Sequence, residues 1–172
     1  MPYPVGVGPA PRPPMPEDVR TARQLWWGVV GFGVVQLAAS MVAATGQRRE
    51  FAEKMFDQMR ESDPNATMAG ADLLVLVAFV FVVLFGLVIT GLALLFVYQF
   101  GRGKLWARTL LTIVGVWLVL MAVGTLFALD AVSGVASLVA GGASIVQGVL
   151  AGGAIYLGHR PDSTAYFVMN RR

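Results

Sequence analysis

Apolar positions along this chain gather into four long blocks, and the charged positions are pushed into the gaps between them. The blocks cover residues 25–45, 73–100, 105–129, whose wholly uncharged part begins at Thr109, and 131–157. Each reaches the roughly 20 residues that carry a helix across a hydrocarbon layer of about 30 Å. Inside lipid there is no water to bond the backbone, so such a segment must satisfy its own N–H and C=O groups, which an α-helix does. The pattern predicts an all-α membrane protein: a four-transmembrane-helix bundle over residues 25–158. A Pro-rich tail (1–24) precedes it and a short C-tail (159–172) follows.

Between the first two blocks the period changes. Phe51, Met55, Phe56 and Met59 recur at helical spacing among Arg48, Glu50, Glu53, Lys54, Asp57, Arg60 and Glu61, which predicts an amphipathic helix over residues 47–62. Asp63-Pro64 ends it, because the residue before proline avoids the helical region and proline has no amide donor. The apolar stripe needs a cover, either the rim of the bundle, the outer leaflet or another protein. Phe51, Met55, Phe56 and Met59 are therefore candidate contacts for a partner or for lipid.

Composition agrees with lipid as the solvent: 56% of residues are hydrophobic and 13% charged, where soluble domains carry about a quarter charged. Outside the spans too little chain is left for a second core, so we expect one domain. With no cysteine, disulfides and thiolate metal sites are excluded. The basic pI of about 9.7 is explained by position. Arg12, Arg20, Arg23, Arg102, Lys104, Arg108, Arg160, Arg171 and Arg172 fall on the side shared by both termini, leaving Arg48, Arg49, Lys54 and Arg60 on the other. The positive-inside bias then puts both termini in the cytoplasm and the amphipathic helix outside it. Trp26, Trp27, Tyr98, Trp106 and Tyr156 gather at the same inner ends, as an aromatic belt would. The basic excess thus orients the chain and attracts anionic lipid; no nucleic-acid partner is expected.

Residue size separates the spans. The second is rich in Val, Leu and Phe (Phe79, Phe81, Phe85, Phe96), which suits a lipid-facing helix. In the fourth, Ser133, Ser137, Gly141, Ser144, Gly148 and Gly152 share one face and include a GxxxG pair. Such a helix-packing face lets two backbones approach where van der Waals contact, not water exclusion, drives association. Its partner is a span of the same chain or a second copy, which makes a homo-oligomer one reading; Gly28, Gly31 and Gly33 of the first span could form the matching surface.

Chemistry is sparse. No charge lies deep in a span, where it would mark a functional site. Gln36 and Gln147 are suited to hydrogen bonds between helices. His159 is alone, and no nucleophile triad, carboxylate pair, metal set or phosphate loop occurs, so we expect no enzyme activity and no cofactor or metal. At the N-terminus, Pro11, Arg12, Pro13 and Pro14 could dock as a polyproline segment in an aromatic groove of a partner or act as an exposed linker.

The run Gly101-Arg102-Gly103-Lys104-Leu105-Trp106-Ala107-Arg108 before a Leu/Thr-rich span, the Pro-rich basic N-tail and the closing Ala165-Tyr166-Phe167 are similar to small four-span integral membrane proteins of actinobacteria. The resemblance covers the architecture of nearly the whole chain and implies a bacterial plasma membrane; it supplies no active site. The expected function is that of a non-catalytic accessory or scaffolding subunit of a larger membrane or cell-envelope complex, with a protein partner in the membrane. The alternatives are a small transporter or homo-oligomeric channel, and a lipid-binding or membrane-sensing protein.

Overall fold

A computed structural model describes residues 14–128 and 134–170. Its order is α1 (Glu17–Gly46), α2 (Arg48–Ser62), α3 (Met68–Gly101), α4 (Leu105–Ala128), α5 (Val135–Gly158) and α6 (Pro161–Met169). α1, α3, α4 and α5 are each long and apolar enough to cross a membrane, and the chain is an all-α, multi-pass four-helix bundle.

α1 begins at Glu17, ahead of the first apolar block and continuous with it, because the prolines end at Pro16 and Glu17 and Asp18 suit the positive dipole of a first turn. Val19 and Ala22 of this extension are fully buried. Gln47 separates α1 from α2 by a single non-helical residue. α3 opens on Thr67, whose hydroxyl accepts from the Gly70 amide. At 34 residues α3 is about 51 Å long at about 1.5 Å per residue, far more than a bilayer core requires, so it tilts or projects beyond the apolar layer.

The turn from α3 to α4 is set by Gly103. Its φ of +74° is the left-handed conformation that glycine alone adopts without cost. The Gly103 amide donates to Phe100 O at 2.9 Å and the Lys104 amide to Gln99 O at 3.2 Å, the paired bonds of a Schellman C-cap.

α5 is the centre of the bundle. It packs most extensively on α1 and α4; α3 leans on α1 and only lightly on α4. The core lies at the end where the start of α1 meets α6. Val19, Ala22, Trp26 and Val29 of α1 join Val97 and Phe100, Ala107 and Leu111, Ala151 and Ala154, and Tyr166 and Phe167. The C-tail is therefore not a plain tail: α6 closes this end, with Phe167 fully buried and its ring 5.0 Å from that of Phe100. Tyr166 Oη donates to Gly101 O at 3.2 Å and Ser163 Oγ to Leu157 O at 2.7 Å.

Trp26 is likewise in the core instead of the aromatic belt, 2% exposed. It meets α4 and α5 at Gly115, where an added Cβ would lie 2.8 Å from the Trp26 ring and 2.7 Å from Ile155 Cδ1. The belt position is held by its neighbour Trp27, with Tyr98, Trp106 and Tyr156, all exposed to the surroundings of the bundle.

Candidate functional site

The face of small residues on α5 is where α4 approaches. A Cβ on Gly148 would overlap Ala122 Cβ and come within 3.2 Å of Leu118 O, and one on Gly152 would touch Val119 at 3.8 Å. Ser144 is buried, and Ser137 and Gly141 are half-buried; Ser133 lies outside the described residues. The other side of α5 receives α1. A Cβ on Gly28 would lie 3.0 Å from Leu150 Cδ1 and one on Gly33 2.8 Å from Gln147 Nε2, whereas one on Gly31 would meet nothing within 4 Å. Two of the three glycines expected opposite α5 thus meet it, and α5 packs small residues toward both neighbours.

Gly33 and Gln147 form one device. Because Gly33 has no side chain, the Gln147 amide reaches past it and donates to Val29 O at 2.9 Å. The bond is buried at mid-span, where an unpaired amide is costly. Gln36, the other amide noted in the sequence, makes no side-chain hydrogen bond among the described residues.

Gln36 instead borders a cleft. α3 and α4 are held together at the core end by the edge-on Phe96–Trp106 pair, 5.8 Å between centroids, and they separate beyond it. The wedge between them has a volume of about 370 Å³. Ile89, Thr90 and Ala93 of α3 and Val114 and Leu118 of α4 form its walls; Val30, Gly33, Gln36, Leu37 and Ser40 of α1 form the floor with Gln147. Leu37 inserts against Gly86, where a Cβ would meet its side chain, and seals one flank. Thr90 Oγ1 donates to Gly86 O at 2.8 Å, so its hydroxyl proton is occupied within its own helix. The lining is apolar save for Gln36, Ser40, Thr90 and Gln147.

At the other end α2 packs on α3. Arg48 pairs with Asp72 at 2.9 Å, Phe51 stacks edge-on with Phe79 at 6.3 Å, and Met59 reaches toward Gly70. Phe51–Phe79 and Met59–Gly70 follow one antiparallel register, from which the long Arg48 side chain departs to reach Asp72. Ala52 is the one buried residue of α2; sequence reasoning passed over it because alanine adds little to an apolar stripe. Met55 and Phe51 border a hollow with Val75, Ala78 and Phe79, and the Arg60 guanidinium lies 5.7 Å from the Phe56 ring centroid. α3 covers the stripe only in part: Met55, Phe56 and Met59 are half-buried and Phe51 stays exposed.

Opposite the rim α2 presents charge. Lys54 Nζ donates to Glu50 Oε1 at 2.7 Å and Arg49 to Glu53 at 3.2 Å, both four residues apart. The Lys54 hydrogen bond, and then its charge, hold the Glu50 carboxyl below the usual carboxylate range.

Near the termini Arg160 pairs with Asp18 at 3.0 Å, tying the start of α6 to the start of α1. The Arg108 guanidinium sits 5.4 Å from the Phe167 ring centroid. His159 is exposed, its Nδ1 2.8 Å from Ile155 O. Among the described residues no three His, Cys, Asp or Glu side chains converge to hold a metal. Pro14 is exposed, and Pro11, Arg12 and Pro13 lie outside the described residues. α6 carried a weak signal in the sequence: Pro161 and Asp162 suit a first helical turn, and Ser163, Tyr166 and Phe167 share a face.

Comparison with protein-family models, with curated proteins and with solved structures finds no match. The fold and the four apolar helices define a multi-pass membrane protein.

Proposed function

We propose that the protein is a non-catalytic accessory or scaffolding subunit of a larger membrane or cell-envelope complex. It sits in a bacterial plasma membrane, with both termini cytoplasmic. The observation that carries this reading is the mounting of α2. An amphipathic helix that merely floated on lipid would turn its apolar stripe to the bilayer. Here Phe51 and Met55 turn toward α3, and Arg48 is clamped to Asp72. The opposite face, with Arg49, Glu53 and Asp57, is held out from the bundle on a fixed base. A fixed surface of mixed charge favours a specific partner, since complementary charge sets register and rejects wrong partners.

Affinity purification from native membranes in mild detergent, with crosslinking, tests the proposal. Recovery of a second protein crosslinked to α2, lost in Glu53→Lys/Asp57→Lys, is the expected result. A chain that emerges alone, crosslinked only to itself, overturns it.

The transporter or channel alternative is tested by flux into liposomes: transport that Gln36→Leu abolishes would replace the subunit reading.

A further inference from the structure

We infer that the wedge between α3 and α4 is a binding site for a neutral, membrane-soluble lipid that presents a hydrogen-bond-accepting oxygen at mid-membrane depth, of the isoprenoid-quinone or long-chain-alcohol class. The inference goes beyond the subunit reading and does not depend on α2.

Three observations lead there. The first is position. Gln36 lies at the centre of the apolar run 25–45, and Gln147 lies near the middle of α5. The cleft that both border is therefore at mid-membrane depth. A phospholipid keeps its charged head group and ester oxygens near the interface, roughly 15 Å from the centre of a core about 30 Å thick. Its acyl tail could enter the wedge but offers nothing to an amide. A quinone ring or an alcohol on an apolar chain has no charge to hold it at the surface and can carry its oxygen inward.

The second is the state of the polar groups. Gln147 Nε2 is spent on Val29 O and Thr90 Oγ1 on Gly86 O. Gln36 is only half-buried and has no side-chain hydrogen bond among the described residues, and neither has Ser40. An amide left without a partner in hydrocarbon costs several kcal/mol, which makes an incoming acceptor favourable there. With no charged residue lining the wedge, an ionised ligand would have no counter-charge, so the occupant is neutral.

The third is shape. A volume of about 370 Å³ is within the range of small-molecule sites, which are mostly apolar with a few polar groups that fix orientation. Beyond the wedge, toward the core end, α3 and α4 come together at the Phe96–Trp106 pair. The wedge opens sideways between α3 and α4, which touch only lightly, so a lipid can enter from the bilayer without crossing water.

The test uses the full-length protein in phospholipid nanodiscs and native mass spectrometry. The probes are a decyl-substituted benzoquinone, 1-decanol, and decylbenzene, which matches the quinone in shape but lacks an acceptor. A saturable one-to-one adduct is expected for the quinone, the alcohol or both, half-saturating at about tenfold lower concentration than decylbenzene, the discrimination one hydrogen bond supplies. Which oxygen-bearing probe gains identifies the source. Gln36→Leu should erase the discrimination while leaving decylbenzene unaffected. Ala93→Phe keeps Gln36 but fills the wedge and should abolish all three adducts, which preserves the test if Gln36→Leu does not fold. Equal binding of all probes to the wild type overturns the inference. So does discrimination that survives in Gln36→Leu, or a photo-crosslinker at position 36 that captures a helix of another protein in native membranes. Loss of the α2 partner without change in probe binding would remove the subunit reading alone.

Discussion

α3 and α5 are both apolar and both long enough to cross a bilayer, yet one is the outside of the bundle and the other its axis. α3 is the more hydrophobic, and only 6% of its most apolar stretch is buried, against 33% for α5. In water that order would be a misfold, because apolar area is what a soluble core removes from solvent. In lipid the ranking inverts: tails are as apolar as leucine, so burial rewards close approach rather than hydrophobicity. Phe81, Phe85 and Leu87 of α3 stay exposed to the surroundings of the bundle, while Gly148, Ala151 and Ala154 admit neighbours to α5.

The sharpest way to break the comparison is to give α5 the side chain that α3 carries. Gly148→Leu forces a branched side chain into Ala122 and the Leu118 carbonyl, and we predict a loss of ~3 kcal/mol, the upper range of overpacking costs. A Cβ on Gly142, on the same helix, or on Gly91 of α3 meets nothing within 4 Å. Gly142→Leu and Gly91→Leu should therefore stay within about 0.5 kcal/mol of the parent. Unfolding in mixed micelles, followed by tryptophan emission, measures all three. Equal losses at 91 and 148 would show that size at the contact is not what sorts the helices.

Gly103→Ala asks how α3 is held at all, given its light contacts. The substitution strains the left-handed C-cap and brings a methyl to 2.9 Å from both the Tyr166 ring and Asn170 Cβ. We predict a loss of about 2 kcal/mol, summing the αL cost and a tight contact, with α6 released. Faster amide exchange over 161–169 with α5 still protected is the outcome expected. Uniform exchange across the bundle would mean that α6 is part of one cooperative unit with α5. Smaller again, Gln147→Leu removes one interhelical hydrogen bond to Val29 O, worth about 1 kcal/mol in a membrane. An unchanged stability would assign the α1–α5 contact to packing alone.

The four spans, the helix over 47–62 and the small-residue face could be read from the sequence because each is a repeat with a physical period. What could not be read depends on a third element. Trp26 and Trp27 are adjacent tryptophans at one interface, and only the gap at Gly115 decides that Trp26 goes inward. Gln36 and Gln147 are alike in sequence, and only the absence of a side chain at Gly33 lets Gln147 reach a carbonyl. α6 was obscured by its length: nine residues make a marginal helix alone, and its stability comes from docking on Phe100 and Gly101. The cleft is the least legible feature of all, because it is set by where α3 does not touch α4.

The smallest expected effect concerns the one charged helix mounted on α3. Glu50 has its pKa lowered by Lys54, so the folded form favours the ionised carboxyl. The contribution is present above the unfolded-state pKa and is lost as pH falls through the lowered folded value, which places the effect on the acid side of the carboxylate range. Glu50 is fully solvated, so the effect is confined to α2 and screened by salt. Acidification should therefore loosen α2 at low ionic strength, seen as faster amide exchange over 48–62, while the spans are unmoved. In Lys54→Met the Glu50 side-chain carbon should titrate at an ordinary carboxylate value by NMR. If the titration stays where it was, the lowering comes from the helix N-terminus rather than from Lys54. α2 would then be fixed to the bundle by Arg48, Ala52 and Phe51, without help from the pairs on its outer face.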